Sequence, residues 1–155
     1  MVHIEVEIVG IRVEMPANQR VLLLKGVDVP KFLPIWIGAQ EANAISIAER
    51  GWEPPRALSL NLLVDIVEAF GTELDRVVIT HRDGHTIHAE LRLSDGKVIS
   101  ARPSDAVAMA LISHCTIETT QELLDDIGID APQADEEEVA QFREFLDHVS
   151  PEDFD

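Results

Sequence analysis

The stretches Glu41-Ala42-Asn43-Ala44-Ile45 (EANAI, 41–45) and Asp105-Ala106-Val107-Ala108-Met109 (DAVAM, 105–109) decide the reading of the fold. Both read acidic-Ala-x-Ala-apolar. Each opens a segment of helical period that follows three segments of strand character. One plan, βββαα, is therefore expected twice along the chain. A carboxylate suits the first turn of a helix, where it offsets the helix dipole. The alanines remove bulk where a helix must lie close to a sheet.

Outward from the first stretch, Val2 to Glu14 alternates, with Ile4, Val6 and Ile8 on one face and His3, Glu5 and Glu7 on the other, as a half-buried strand does. Val21 to Lys25 and Phe32 to Ile37 complete the strand trio. A helix follows over Gln40 to Arg50, then the proline-stiffened connector Trp52 to Ala57. Ser59 is read as the N-cap of a second helix through Phe70, with Leu62, Leu63, Ile66, Val67 and Phe70 as its inward face. Around the second stretch, Arg76 to His81, Thr86 to Leu93 and Lys97 to Ala101 read as strands, with hairpin turns at Asp83-Gly84 and Asp95-Gly96. Ser104 is read as the cap of the next helix, with Ala106, Val107, Ala110 and Leu111 inward. Thr119 to Glu122 is read as a capping box for a fourth helix carrying Leu123, Leu124 and Ile127. The domain expected is 1–130, with repeat units at about 2–71 and 74–128. An acidic tail, 131–155, holds a helix over Asp135 to Val149, whose stripe of Val139, Phe142, Phe145, Leu146 and Val149 should dock on the body or on a second subunit.

Composition narrows the function classes. The 155 residues carry a net charge of −17. From Asp125 to Asp155 there are 12 acidic residues against one basic, Arg143, a net −11, which leaves −6 for the other 124 residues. Phosphate backbones are held largely by Lys and Arg, so this balance disfavours a general nucleic-acid binder. No apolar run is long enough to cross a membrane, no secretory leader is evident, and the lone Cys115 has no intrachain disulfide partner. A reducing, cytoplasmic setting is expected.

The strongest local chemistry lies in Ala101-Arg102-Pro103-Ser104-Asp105-Ala106. An arginine just outside a helix start, beside free backbone amides at Ser104, makes an anion or phosphate site. Asp105 adds a carboxylate able to hold a divalent cation or orient a water. The same residues also make an ordinary cap, with Arg102 paired to a nearby carboxylate. Glu41 holds the matching place in the first repeat, so a pseudo-twofold would set two acidic helix starts toward one cleft. The alternative is two separate dipole-compensating acids. His81, His85 and His88 surround the first hairpin turn. In a two-residue hairpin His81 would pair opposite Thr86, with His88 on its face and His85 on the other, so a solvated hairpin tip is expected rather than a three-histidine metal site. Cys115 is read as structural, and Trp36 and Trp52 as core or interface. The sequence holds no phosphate-loop, dinucleotide-binding, paired-cysteine zinc or nucleophile-elbow motif.

Leu33-Pro34-Ile35-Trp36-Ile37-Gly38 with Glu41-Ala42, then Pro55-Arg56-Ala57-Leu58, then ARPSDAVAMAL from Ala101 to Leu111, resemble the bifunctional nuclease domain family, over roughly Val2 to Gly128. The acidic tail resembles that of actinobacterial members. The resemblance implies an α+β fold of duplicated βββαα units, a mixed or antiparallel barrel-like sheet flanked by helices, and a homodimer. It also implies a nuclease acting on DNA and RNA. The chain departs from the family pattern Arg-Pro-x-Thr-His-Asp. Here it reads Arg56-Ala57-Leu58-Ser59-Leu60-Asn61, so leucine and asparagine stand where the family has histidine and aspartate. Leucine cannot act as a base or bind a metal, and asparagine cannot take a proton at neutral pH.

Two functions are therefore carried forward. The first is phosphodiester hydrolysis: Glu41 and Asp105 catalytic, holding a divalent cation such as Mg²⁺ or Mn²⁺ or a water, and Arg56, Arg102 and Ser104 binding phosphate. Its activity would be weak or lost through Leu60-Asn61. The second is a non-catalytic dimeric interaction or regulatory module binding a small anion or a protein partner.

Overall fold

The computed structural model describes residues 2–131. The expected helix over Asp135 to Val149 lies outside the described residues. The first strand trio is β1 (His3–Glu14), β2 (Gln19–Gly26) and β3 (Lys31–Ile37). It is followed by α1 (Ala39–Glu49) and α2 (Ser59–Ala69). The second trio is β4 (Leu74–Asp83), β5 (Thr86–Leu93) and β6 (Val98–Ala101). After it come α3 (Pro103–Ser113), β7 (Thr116–Thr120), α4 (Gln121–Ile127) and β8 (Ile129–Asp130). The α+β class is as the sequence implies.

All eight strands form one mixed sheet in the order β6-β5-β4-β7-β1-β2-β3-β8. Each trio is an antiparallel meander, and β7 joins them, antiparallel to β1 and parallel to β4. The sheet is open, with β6 and β8 as its edges, so the barrel expected from the family resemblance is not closed. β7 was not anticipated. The sequence reading assigns Thr116 to Glu118 no element and begins a capping box at Thr119. In the fold Ile117 and Thr119 face inward, the Thr119 hydroxyl donates to the Ile79 carbonyl at 2.9 Å, and the Thr120 hydroxyl donates to the Thr80 carbonyl at 2.7 Å. The helix cap moves one residue on: the Thr120 hydroxyl accepts from the Leu123 amide at 3.2 Å.

The core lies between the sheet and the helices. Leu22, Leu24, Leu33, Ile35, Val77, Ile79 and Leu91 supply its sheet side. In β1 the register shifts between Ile8 and Gly10, so Val6 is inward before the bulge and Ile11 after it. α3 is the central helix, with every residue from Ala106 to Ala110 buried; it packs on α1, α2, β4 and β5. This is why its apolar residues surround it instead of forming one stripe.

Three local readings change. Ser59 and Ser104 do not cap: Leu58 and Arg102 hold the N-cap positions, neither helix start has a side-chain cap hydrogen bond, and Ser104 is buried in the first turn. The first hairpin turns at Gly84-His85, one residue later than read, with positive φ at Gly84; His81 therefore sits directly opposite His88 and the rings stack at 4.6 Å. The largest change is in α2. Its fully buried side chain is Val64, with Leu60 and Val67 half-buried beside it, while Leu62, Leu63, Ile66 and Phe70 are exposed. The expected inward stripe points largely out.

Candidate functional site

Glu41 is the third residue of α1, and Asp105 is the third residue of α3. Each helix follows the third strand of its trio, so the two carboxylates hold matching places, as the paired motifs predict. One side chain joins them. The Arg102 guanidinium donates to both Asp105 oxygens, at 2.8 and 3.1 Å, and to Glu41 Oε1 at 2.8 Å. The close packing of α1 on α3 makes this reach possible. Gly38 contributes as well: Glu41 folds back so closely over the start of α1 that a Cβ at position 38 would meet its carboxylate.

The electrostatics follow from this geometry. A hydrogen bond from its own backbone amide, then the Arg102 hydrogen bond, hold the Glu41 carboxyl below the usual glutamate range. Asp105 first and Glu41 second raise the affinity of Arg102 for its proton. Arg102 is still 63% exposed, so the cluster is a solvent-facing triad and not a buried ion pair.

The triad borders a groove of about 430 Å³ between the start of α3 and the β4–β5 hairpin. Glu41, Arg102, Pro103 and Ser104 line it from the helix starts and Arg82, His85 and Thr86 from the hairpin, with Trp36 and Gly38 from the β3–α1 corner. Arg82 is itself held by Asp126 of α4 in a bidentate pair at 2.9 and 2.8 Å. Trp36 is 55% exposed on the sheet and offers a face on which a flat ring can stack. Of the sequence candidates, Glu41, Arg102 and Ser104 meet in this groove, and Asp105 stands behind Arg102. Arg56 is exposed in the connector before α2 and is not among the residues that line it. Sequence reasoning missed Arg82 altogether, and took His85 for a solvated tip and Trp36 for core or interface. Only the fold of the hairpin over the α3 start brings them together.

A second groove, of about 470 Å³, runs between α1 and α2. Leu60 and Asn61, where the family pattern has His-Asp, line this groove, together with Asp65, Glu68 and His114. The Leu60-Asn61 position and the Arg102 triad thus belong to different grooves.

The Glu41–Asp105 pair does not fit a divalent cation as arranged, because the positive guanidinium of Arg102 fills the space between the carboxylates. Among the described residues no group of three or more His, Cys, Asp or Glu side chains is placed to hold a metal. Cys115 is not a poised nucleophile: burial first, then Asp75, push its thiol up to about 11.

An open eight-stranded α+β sheet with helices on its core face, and an arginine clamped between the starts of two equivalent helices, defines the structural class. The chain belongs to the bifunctional nuclease domain family, whose pattern it matches over residues 22–132. It is 44% identical over 159 aligned positions to uncharacterised proteins of two Mycobacterium tuberculosis strains, CDC 1551 / Oshkosh and ATCC 25618 / H37Rv, with 97% of each chain covered. Among the described residues, no helix is long and apolar enough to cross a membrane.

Proposed function

We propose that the chain is a nuclease-type hydrolase of phosphodiester bonds in DNA or RNA, working in the groove between the start of α3 and the β4–β5 hairpin. The observation that carries this reading is that Arg102, held by both oxygens of Asp105, lines one groove together with Arg82 and His85. A phosphate entering there meets two guanidinium groups in fixed orientation and the backbone amides near Ser104. Trp36 supplies a stacking surface for a neighbouring base. Glu41 and Asp105 orient Arg102. Glu41 is not a strong base, since its own backbone amide and the Arg102 guanidinium lower its proton affinity. An imidazole can both accept and donate a proton, and His85 lines the groove, so it is the acid–base group on this reading. Arg56 is left as a distant phosphate contact for a long strand. The cytoplasmic, dimeric setting expected from the sequence is kept as part of the proposal.

The test is cleavage of single- and double-stranded DNA and RNA by the wild type, Arg102→Ala, Asp105→Ala and His85→Ala, with and without Mg²⁺ or Mn²⁺. Removing a positioned acid–base group costs about 10²–10⁴-fold in rate. Cleavage indifferent to all three changes would rule the groove out.

One observation favours the second reading, a non-catalytic module. Both groove arginines are already neutralised by carboxylates of the same chain, Arg102 by two and Arg82 by Asp126. Such a lining suits a small anion that displaces one carboxylate better than a polyanion. Saturable binding of inorganic phosphate or a nucleoside monophosphate, lost in Arg102→Ala and with no cleavage at any metal concentration, would favour it.

A further inference from the structure

The groove between α1 and α2 differs in chemistry from the groove at Arg102. Its volume of about 470 Å³ falls in the range of roughly 300–1,000 Å³ usual for small-molecule sites. Its least exposed lining is aliphatic, formed by Ala44, Ile47, Val64, Leu111 and Ile112. Three carboxylates, Glu53, Asp65 and Glu68, line it as well. All three are exposed, and none has an ion pair among the described residues. Among the described residues no Lys or Arg lines the groove; Arg50 and Arg56 are near in sequence but stand outside its lining. A second observation of the same sign does not involve these side chains. The last turns of α1, at Ile47 and Ala48, and of α3, at Leu111 and Ile112, both border the groove, and each helix brings the negative end of its dipole there. Neither last turn carries a basic residue to offset it. The start of α2 adds one positive helix end at Ser59, but Asp65 and Glu68 lie beyond its first turn, where that field has faded.

We propose that the α1–α2 groove binds an aliphatic polyamine. This site is independent of the reaction proposed above. The charge pattern and the aliphatic lining together select the ligand. The methylene chain of a polyamine lies on Ile47, Val64, Leu111 and Ile112, and its ammonium groups meet the carboxylates. Asp65 and Glu68 are three residues apart on α2, a spacing that makes them neighbours about 5–6 Å apart at Cβ, so they take one ammonium between them. Glu53, in the connector between α1 and α2, takes another. Trp52 beside it is 54% exposed and lines the same groove, and an indole face attracts a cation. An organic cation suits this lining better than a metal ion does. Among the described residues no three metal-ligating side chains converge, and an aliphatic surface gains by covering methylenes but offers a hydrated metal ion nothing.

The measurement is calorimetric titration of spermidine into the full chain at physiological ionic strength, where diffuse attraction to a net charge of −17 is screened. NMR of the two indole N–H resonances, assigned through Trp36→Phe and Trp52→Phe, locates the ligand. One spermidine should bind per chain, shifting the Trp52 resonance and leaving that of Trp36 in place. Asp65→Asn/Glu68→Gln should weaken binding by about tenfold or more. Glu5→Gln/Glu7→Gln removes the same charge from exposed positions of β1 and should leave binding unchanged. Circular dichroism confirms that both variants fold, which exposed positions allow. Mg²⁺ at equal concentration should not displace spermidine. Titration without saturation, equal loss in the two double variants, or displacement by Mg²⁺ would overturn the proposal, since bulk charge would then account for the binding. A leucine–lysine helical peptide that shifts Trp52 where spermidine does not would also overturn it, and would give the groove to a basic helix of a partner.

Discussion

Thr120 is the residue on which the seam between the two strand trios should depend most. Its side chain is fully buried; its hydroxyl donates to the Thr80 carbonyl at 2.7 Å and accepts from the Leu123 amide at 3.2 Å. Thr80 is the bulged residue of β4, skipped where the register with β5 shifts between Ile79 and His81, so its carbonyl relies on this hydroxyl. Thr120→Val keeps the shape and removes both bonds. Loss of the cap costs about 1 kcal/mol. Leaving the part-buried Thr80 carbonyl without this partner adds about 1–2 kcal/mol. The expected sum is about 2–3 kcal/mol, enough to lower a urea midpoint by about 1–1.5 M at slopes usual for a domain of this size. Thr120→Ser keeps the hydroxyl and loses one buried methyl, so it should cost about 1 kcal/mol. Urea unfolding of all three chains, followed by tryptophan fluorescence and circular dichroism, makes the comparison. A valine variant within about 0.5 kcal/mol of wild type, or a serine variant as damaged as the valine one, would refute the account of β7 as a hydroxyl-locked seam.

The pH dependence has a definite sign. The folded Glu41 pKa lies below its ordinary 4.5, so its contribution is present above that value and fades as pH falls through the lowered one. With Arg102 63% exposed, solvent screening keeps the effect below about 1 kcal/mol. In Arg102→Ala the Glu41 titration, followed by carboxyl NMR, should move upward; an unmoved titration would discard the triad. Cys115 should alkylate slowly at neutral pH and accelerate only as pH approaches its raised thiol value of about 11; rapid labelling at pH 7 would contradict its burial. Nuclease activity should be weak in the wild type and rise in Leu60→His/Asn61→Asp if the α1–α2 groove carries the family chemistry. Robust wild-type cleavage, unchanged by that pair and abolished by Asp105→Ala, would place the chemistry at the α3 start.

Much of this fold is legible because its signals are local. The alternation in β1, the glycine-bearing turns and the matched acidic-Ala-x-Ala helix starts each act within a few residues, and the strand trios and central helices follow from them. β7 was missed because Thr116 to Thr120 is short and mostly polar. What makes it a strand is the presence of β1 and β4 on either side and two threonine hydroxyls aimed at β4 carbonyls. α2 was oriented wrongly for a related reason. An apolar stripe says that a helix has something to bury, and not against what. Packing on α3 took the side bearing Val64 and left the larger residues outside. The site divides in the same way. Glu41, Arg102 and Asp105 could be paired through the repeat, whereas Arg82, His85 and Trp36 come from elements that no sequence period links to them.

The arrangement of the two grooves bears on what the Leu60-Asn61 substitution means. Leu60 is half-buried against the core, and Asn61 lines the α1–α2 groove beside Asp65, on the flank of α2 away from Leu62 and Ile66. A histidine at position 60 would have to place its ring where a leucine now packs. Reinstating the family pair therefore exchanges buried apolar contact for a polar group, a trade that costs stability unless the imidazole finds a partner. The Arg102 triad makes no such demand. It stands on the other groove, held together by this chain's own carboxylates, and does not depend on what occupies position 60. If Leu60-Asn61 has cost this chain a reaction, the loss is confined to the α1–α2 groove, and the Arg102 triad at the start of α3 is intact. The two sites can thus be tested separately, one by restoring a pair and the other by breaking a triad.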